Sequence, residues 1–299
     1  LDRAYDQRAW APNAESVIAR WRDAVPAARA AHPSWRAAAY GPGVEERLDL
    51  YPTAGAGAPI HVHIHGGAWR TQSKEDAAFA AQAMTAAGMH FVAPEFGKLP
   101  GTRMPDVIEQ LARALRWVHE QAPSFGGDAG RILLSGHSSG AHLAAVLATL
   151  DWRARGLPAD LIRSVVCISG AYDLEPVLLS ARRDYIDLTP DEADALSAPR
   201  HVDAIPCPVT VIHGERETPE FIRQAHDFAA ALAAAGRLTD HIVVEGLNHF
   251  EMADAMADIA SPVYRAIVAS LVERIPAAPG AAGAKPSDEI PSGLEAFSR

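Results

Sequence analysis

Residues 131–148 read RILLSGHSSGAHLAAVLA, an apolar run followed by a Gly-x-Ser-x-Gly pentapeptide at 136–140 and a helix-forming stretch. The apolar run predicts a buried strand, and the stretch rich in alanine and leucine predicts a helix. A serine between them lies in a sharp strand-to-helix turn, where glycines flank it because larger side chains would collide. The positive end of the helix favours negative charge at this turn. We therefore predict that Ser138 is a nucleophile.

A second glycine-rich turn lies upstream, where residues 61–69 read HVHIHGGAW. The β-rich run predicts a strand that ends in a Gly-Gly loop. The loop amides of Gly67 and Ala68, with Gly66 shaping the turn, are candidate donors to an oxyanion, together with the amide of Ser139. The alternative interpretation is a plain turn between a strand and a loop, and Ser138 downstream makes the oxyanion hole the preferred one.

An acid is expected after the nucleophile and before the histidine, in the loop that follows the penultimate strand. Strand-like runs at 164–169 and 208–214 follow Ser138. Three glutamates come next. Glu217, three residues past Gly214, is the first choice, and Glu215 is the second. Glu220 is predicted to begin a helix over 220–235, where an acid suits the helix dipole.

A general base is expected just past the last strand, which is predicted at 241–245 and leads into the sequence Gly-Leu-Asn-His-Phe. His249 occupies that position. It would take the proton of Ser138 and return it to the leaving group, while Glu217 holds the other ring nitrogen.

Four segments together carry a resemblance to a known group: HGGAW at 65–69, GHSSGAHL at 136–143, SGAYDLEP at 169–176 and PEFIRQ at 219–224. They resemble the kynurenine formamidase (arylformamidase)-like branch of the α/β-hydrolase superfamily, which borders the hormone-sensitive-lipase-type esterases. The resemblance runs from about Tyr5 to Ile275. It implies an α/β-hydrolase fold and an enzyme that cleaves a small aryl formamide through an acyl-enzyme.

Three departures from that branch affect the expected substrate. Glu217 stands where the branch usually has Asp, Arg182-Arg183-Asp184 replaces a stretch with an asparagine, and Glu95-Phe96 replaces a polar-aromatic pair. The chemistry is retained, but two alternatives stay open. One is a carboxylesterase acting on small aryl or alkyl esters, and the more remote one is a non-catalytic small-molecule receptor on the same fold.

The order of elements predicts the fold. Strands at 44–51, 59–65 and 89–96 precede a helix at 104–121, and strands and helices then alternate. This pattern predicts an α/β fold, a mostly parallel sheet covered on both faces, with helical cap elements. We expect a helical segment at 1–40 that covers the pocket mouth through Trp10, Trp21 and Trp35. A catalytic domain at 41–275 with a cap-like insertion at about 175–206, and a flexible tail at 276–299, complete the prediction.

Several aromatic and metal-binding residue types have two interpretations. Trp69, Tyr172 and Phe250 are candidate substrate contacts, and core packing is the alternative for each. The alternating His61, His63 and His65 could hold a metal, but His65 is needed at the glycine turn and no acidic cluster is near in sequence. We therefore expect neither metal nor cofactor. Cys167 and Cys207 lack metal or redox spacing and read as buried thiols.

Composition narrows the remaining classes. The 299 residues are 48% hydrophobic with a formal net charge of −10, which is typical of a globular enzyme and argues against nucleic acid or anionic membranes as partners. No apolar run of about 18 residues exists, and the polar start lacks the apolar segment of a secretory signal. We expect a cytoplasmic enzyme with a small ester or amide substrate. Whether it forms a homodimer stays open.

Overall fold

The strand that precedes Ser138 lies near the centre of a large sheet. The computed structural model of the protein describes residues 1–270. Within them the strands are β1 (Arg36–Ala39), β2 (Arg47–Tyr51), β3 (Ala58–Ile64), β4 (His90–Pro94), β5 (Gly127–His137), β6 (Ile162–Ile168), β7 (Val209–Gly214) and β8 (Leu238–Val244). Their order in the sheet is β1-β2-β4-β3-β5-β6-β7-β8.

The six strands β3 to β8 are parallel to one another, and the two antiparallel pairs among the described strands are β1–β2 and β2–β4. The carboxyl ends of the six parallel strands therefore meet at one edge, which is where ligands bind in open α/β sheets. The loops that carry the predicted site residues follow β3, β5, β7 and β8, so the topology brings them together.

Helices cover both faces of this sheet, as the sequence predicts. The helices in the described range are α1 (Asp2–Tyr5), α2 (Ala14–Asp23), α3 (Val25–Ala31), α4 (Ala81–Ala86), α5 (Met104–Gln121), α6 (Ser139–Thr149), α7 (Leu174–Leu178), α8 (Pro190–Ala195), α9 (Pro219–Ala234), α10 (Glu251–Asp254) and α11 (Pro262–Ala269). One apolar cluster joins α5, α6 and α9 to side chains such as Val62 and Leu134. A second joins α3, α4 and α11 to Leu133 and Ile168 on the opposite face. The α/β fold with a doubly covered, mostly parallel sheet is confirmed.

Helix α5 lies where its apolar sequence pattern predicts a helix. The predicted helix at 104–121 is confirmed with the same bounds. Its apolar stripe is fully buried because residues three and four apart share one face of a helix; the stripe consists of Val107, Ile108, Leu111, Leu115 and Val118.

The N-terminal segment departs from the prediction in one respect. The sequence predicts a helical segment over residues 1–40, but Arg36–Ala39 form strand β1 and pair antiparallel with β2. Ladder hydrogen bonds to a neighbouring strand outweigh the helix propensity of three consecutive alanines. The prediction of a wholly helical segment is therefore wrong at its end.

Two of the predicted C-terminal segments lie wholly or partly beyond the residues that the structure describes. The predicted tail at 276–299, and residues 271–275 of the predicted catalytic domain, lie outside the described residues. Among residues 1–270, no helix combines the length and apolar content needed to cross a bilayer. The predicted insertion at 175–206 contains α8 and most of α7, joined by short 3₁₀ turns.

Candidate active site

Ser138 sits in the turn between β5 and α6 with a strained backbone. Its φ is 56° and its ψ is −122°, a region that non-glycine residues rarely adopt. Its amide donates to the carbonyl of Ile168 at 2.8 Å, which ties the turn to the neighbouring strand. A Cβ on Gly136 would lie 2.1 Å from the Gly140 carbonyl oxygen, and a Cβ on Gly140 would lie 2.1 Å from that of Ile64. The two glycines are therefore required by close backbone approach.

His249 follows β8 and connects this serine to an acid. Its Nε2 lies 2.8 Å from the Oγ of Ser138, and its Nδ1 lies 2.8 Å from Oε2 of Glu217. All three side chains are buried. Since a carboxylate accepts hydrogen bonds, Nδ1 carries the hydrogen and Nε2 offers a lone pair to the serine hydroxyl. This is the arrangement in which an imidazole can remove the hydroxyl proton.

Glu217 is held as an anion by a set of donors. Its Oε1 accepts from the Gly214 amide at 2.8 Å and from the Ser169 hydroxyl at 2.5 Å. Burial alone would raise the pKa of Glu217, but the electrostatic interaction and hydrogen bond with His249, together with these two donors, hold it below its ordinary value. The N-terminal segment also reaches this carboxylate, since Gln7 Nε2 lies 3.4 Å from Oε2.

The competing glutamates point elsewhere. Glu215 is exposed and accepts from the Gly246 amide at 2.9 Å. Glu220 pairs with Arg223 at 2.6 Å and accepts from the Tyr5 hydroxyl at 2.7 Å. Of the three, Glu217 is the one whose carboxylate contacts His249.

The glycine loop after β3 is bent by three consecutive residues with positive φ. Gly67 has φ 101°, Ala68 54° and Trp69 60°. Gly67 and Ala68 border the cleft at Ser138. Among the described residues no acceptor engages the amides of Gly67 and Ala68. Such amides are available to an incoming oxyanion.

The two remaining members of the predicted oxyanion hole lie beside that loop. Ser139 is the first residue of α6, so its amide has no partner one turn earlier in the helix. Its hydroxyl accepts from the Trp69 amide at 3.2 Å and thereby ties the glycine loop to the helix. A Cβ on Gly66 would lie 3.2 Å from the Ser138 Cβ, so this glycine lets the loop approach the serine.

A cleft of about 140 Å³ opens at Ser138 and His249. Its rim is formed by residues 5–8, the glycine loop, Arg182 and Phe250. A wider cavity of about 680 Å³ shares Tyr5, Asp6 and Arg182 with the cleft. Residues 5–8 therefore border the cleft. Two of the tryptophans predicted to cover its mouth lie elsewhere, because Trp21 is buried against Phe79 and Trp10 is 42% exposed.

The three predicted substrate contacts lie in different places. Phe250 borders the cleft, and its ring centroid lies 5.4 Å from that of His249. Trp69 is fully buried, and its Nε1 donates to His142 Nδ1 at 3.3 Å. Tyr172 is also fully buried, with its ring 4.5 Å from that of Phe228. Neither Trp69 nor Tyr172 borders the cleft, because their rings turn into the core.

The alternating histidines of β3 are engaged by neighbouring side chains. His61 and His63 both contact the hydroxyl of Ser135, at 2.6 Å and 2.8 Å. His65 lies beside Glu95, with its Nε2 3.0 Å from Oε1, and its Nδ1 lies 2.8 Å from the Gly66 carbonyl oxygen. Glu95, one of the residues at which this chain departs from the formamidase-like branch, thus contacts His65, the first residue of the HGGAW segment.

Four residues near the cleft were not identified from the sequence as site residues. Ser169 and Gln7 contact the acid, and Arg8 and Arg182 border the cleft. Arg182 belongs to the stretch 182–184, which departs from the formamidase-like branch, but no local sequence pattern indicates Gln7 or Ser169.

Comparisons with known proteins agree with this architecture. A family profile described as BD-FAE matches residues 48–232, more than half of the chain. A kynurenine formamidase from Danio rerio is 28% identical over 271 residues, which are 86% of this chain and 91% of that protein. Esterase LipQ from Mycobacterium tuberculosis is 31% identical and is matched over 78% of this chain and 59% of its own length.

A solved structure of a candidate thioesterase from Silicibacter sp. tm1040 superposes with a TM-score of 0.79 at 27% identity, covering 91% of this chain and 99% of that one. The shared fold, the family match and the formamidase and esterase relatives all point to the same group. The chain therefore belongs to the BD-FAE family, within the kynurenine formamidase-like branch of the α/β-hydrolase superfamily, and is a hydrolase.

Proposed function

We propose that this hydrolase is a serine enzyme that uses Ser138, His249 and Glu217 as its catalytic triad. The observation that carries the proposal is the continuous chain of hydrogen bonds from Ser138 through His249 to Glu217, with both bonds at 2.8 Å. This chain ends in a cleft bordered by the amides of Gly67 and Ala68. A catalytic triad is recognised by geometry of this kind rather than by the order of its members in sequence, and this supports the proposal.

The reaction proceeds through an acyl-enzyme. Ser138 Oγ attacks the substrate carbonyl carbon while His249 Nε2 takes the hydroxyl proton. The amides of Gly67, Ala68 and Ser139 hold the oxyanion, and each such donor contributes roughly 3–4 kcal/mol to the barrier reduction. His249 then protonates the leaving nitrogen or oxygen. Water repeats the sequence on the acyl-enzyme and releases the acid.

The first-choice substrate is an N-formyl aryl amide such as N-formylkynurenine. The kynurenine formamidase from Danio rerio matches 86% of this chain. The cleft of about 140 Å³ at Ser138 suits a small acyl group such as formyl. The wider cavity is lined by Arg70 and Arg182 together with Asp2, Asp6 and Asp184. Charges of both signs there suit a leaving group that carries an amino-acid moiety.

The second candidate is a carboxylesterase that acts on small aryl or alkyl esters. Esterase LipQ is 31% identical to this chain. The departures Glu95 and Arg182 lie at or beside the glycine loop and cleft. These substitutions favour a substrate different from that of the formamidase branch, while leaving the triad unchanged.

The deciding experiment compares kcat/KM for N-formylkynurenine with that for p-nitrophenyl acetate and butyrate, on wild type and Ser138→Ala. A preference for the formamide of about 100-fold or more, lost in the variant, corresponds to roughly 3 kcal/mol of selective transition-state binding and supports the formamidase. Ester turnover without formamide turnover, lost in the same variant, supports the esterase.

Covalent labelling addresses the remote alternative of a non-catalytic receptor. A fluorophosphonate should label wild type at Ser138, identified by peptide mapping, and should leave Ser138→Ala unlabelled. Absence of label on folded wild-type protein would reject the serine hydrolase. A cytoplasmic location stays a prediction, and the question of a homodimer is answered by the mass of the protein in solution.

A further inference from the structure

Three histidines meet on the α9-covered side of the sheet, at its β7–β8 edge, away from the triad. His213 lies on β7, His241 on the neighbouring strand β8, and His226 on helix α9. One ring nitrogen of each lies within 4.8 Å of those of the other two. The ring centroids are 5.3 Å apart for His213 and both others, and 4.7 Å apart for His226 and His241.

The register of the two strands explains why these side chains converge. Val211 pairs with His241, so His213, two residues further along β7, is the diagonal neighbour of His241 on the same face. Val211 belongs to the apolar cluster that also contains the inward side of α9. The helix therefore passes over the two strand histidines, and His226 completes the group from above.

His213 offers a free lone pair to this group. Its Nδ1 lies 3.1 Å from the Gly214 carbonyl oxygen, which can only accept, so in the neutral ring the hydrogen is on Nδ1 and Nε2 is an acceptor. The side chain is 1% exposed, and among residues 1–270 its Nε2 has no hydrogen-bond partner. A ring nitrogen whose partner N–H is fixed by a backbone carbonyl is typical of a metal-ligating histidine.

His241 also has a ring nitrogen that lacks a hydrogen-bond partner. Within the described part of the chain its Nε2 is buried and has no partner. Two unpartnered ring nitrogens in one cluster of three histidines distinguish this place from the unpartnered atoms elsewhere in residues 1–270, and a bound ion would satisfy both of them. The third member, His226, is exposed and gives that group a route from solvent.

We propose that His213, His226 and His241 bind one divalent transition-metal ion, with Zn²⁺ as the best match. Neutral imidazole is a preferred ligand of zinc, with bonds of about 2.0–2.1 Å, which places ligand nitrogens about 3.3 Å apart in a tetrahedron. Small rotations of the exposed His226 and the edge-strand His241 close the remaining distance. Three protein ligands leave the fourth position to water.

The ion would join three elements that support the triad loops. The amide of Gly214, next to His213, donates to Glu217, and α9 begins directly after the acid loop. A ligand that binds only the folded chain raises its stability by mass action. The proposed role is therefore structural, and hydrolysis itself does not pass through the ion.

The test uses the full chain without a histidine tag, stripped with a chelator and treated with a fluorophosphonate so that His249 cannot compete. Zn²⁺ binding is measured by calorimetry and by the shift in Tm. The matched variants are His226→Ala, His241→Ala and the control His201→Ala, whose Nε2 contacts a backbone carbonyl oxygen. Co²⁺ replaces Zn²⁺ for visible spectroscopy, which reports the geometry of the ligands.

We expect one Zn²⁺ per wild-type chain, a rise in Tm with Zn²⁺, and a Co²⁺ spectrum of tetrahedral type. His226→Ala and His241→Ala should each weaken Zn²⁺ binding at least tenfold and abolish the rise in Tm, and His201→Ala should behave as wild type. Absence of saturable one-to-one binding would overturn the proposal. Equal binding by wild type and His226→Ala, or equal weakening by His201→Ala, would also overturn it.

Discussion

Two histidine–glutamate pairs lie at the cleft and at its glycine loop, and they differ in what the second ring nitrogen of the histidine contacts. In the pair His249–Glu217, that nitrogen lies 2.8 Å from a serine hydroxyl, which can donate a proton. In the pair His65–Glu95, it lies 2.8 Å from the Gly66 carbonyl oxygen, which cannot. The same two residue types therefore form a candidate proton relay in one place and an anchor for the glycine loop in the other.

The two carboxylates also have different surroundings. Glu217 accepts from neutral groups besides His249, namely Ser169 and the Gly214 amide. Its charge is thus available to stabilise an imidazolium that forms during reaction. Glu95 is half-buried, and this partial loss of solvent alone would raise its pKa, but the hydrogen bonds and charges of His65 and Lys98 lower the pKa to about 2. Its charge is already neutralised in the resting protein.

The largest expected effect comes from breaking the first pair. Glu217→Gln should lower kcat by about 10³–10⁴-fold, because the amide can hold the wrong tautomer of His249 and cannot stabilise its cation. Steady-state kinetics on the best substrate measures the change, and the Tm reports whether the fold is retained.

Glu215→Gln is the matched control, since Glu215 lies in the same loop and accepts only from the Gly246 amide among the contacts described. It should change kcat by less than a factor of about five. The opposite ranking of the two variants would assign the acid to Glu215, and the comparison of the two pairs would then have no basis.

Breaking the second pair should affect stability more than chemistry. Glu95→Gln leaves Lys98 and His65 without their anion, which should cost on the order of 2–3 kcal/mol in the free energy of unfolding. We expect kcat to fall less than tenfold, because His65 does not contact Ser138 in the structure. Urea denaturation measures the loss, with the exposed Glu120→Gln as control. A kcat loss as large as that of Glu217→Gln would show that the anchor takes part in catalysis.

The dependence of stability on acid pH tests the structural role of the pair His65–Glu95. The folded-state pKa of Glu95 is about 2 against an ordinary value of 4.5. Its contribution to stability is therefore present above pH 4.5 and is lost as the pH falls toward 2. Between pH 5 and pH 3 the wild type should lose on the order of 2 kcal/mol through this group. Glu95→Gln should show a shallower decline over this interval in urea titrations, and equal slopes would contradict the assigned pKa.

Much of the candidate site could be predicted from the sequence because the carboxyl ends of parallel strands meet at one edge. Ser138 and His249 each directly follow a strand or its turn, and Glu217 lies three residues past β7, so chain order alone places them together. The apolar stripe of α5 is equally local information. These features depend only on periodicity and on positions adjacent to strand ends.

Other features depend on contacts between distant residues and on backbone angles, and no local pattern encodes them. Trp69 and Tyr172 follow strand ends just as pocket residues do, yet their backbones turn the rings into the core. The stretch Arg36–Ala39 became a strand because β2 offered a partner. His65 and Glu95 are separated by 30 positions, and the contact between Gln7 and Glu217 by 210.

The smallest expected effect concerns that last contact. Gln7 Nε2 lies 3.4 Å from both Glu217 Oε2 and Thr218 Oγ1, so its support of the acid is long and shared. Gln7→Ala should lower kcat by less than about fivefold, since Glu217 keeps Ser169 and the Gly214 amide as donors. Gln72→Ala, which also borders the cleft, is the control for a general change in its lining. If Gln7 acts through the acid, combining Gln7→Ala with Glu217→Gln should add no further loss in kcat. A further loss in the double variant would instead place Gln7 in direct contact with substrate, and the N-terminal segment would then belong to the substrate site rather than to the support of the first pair.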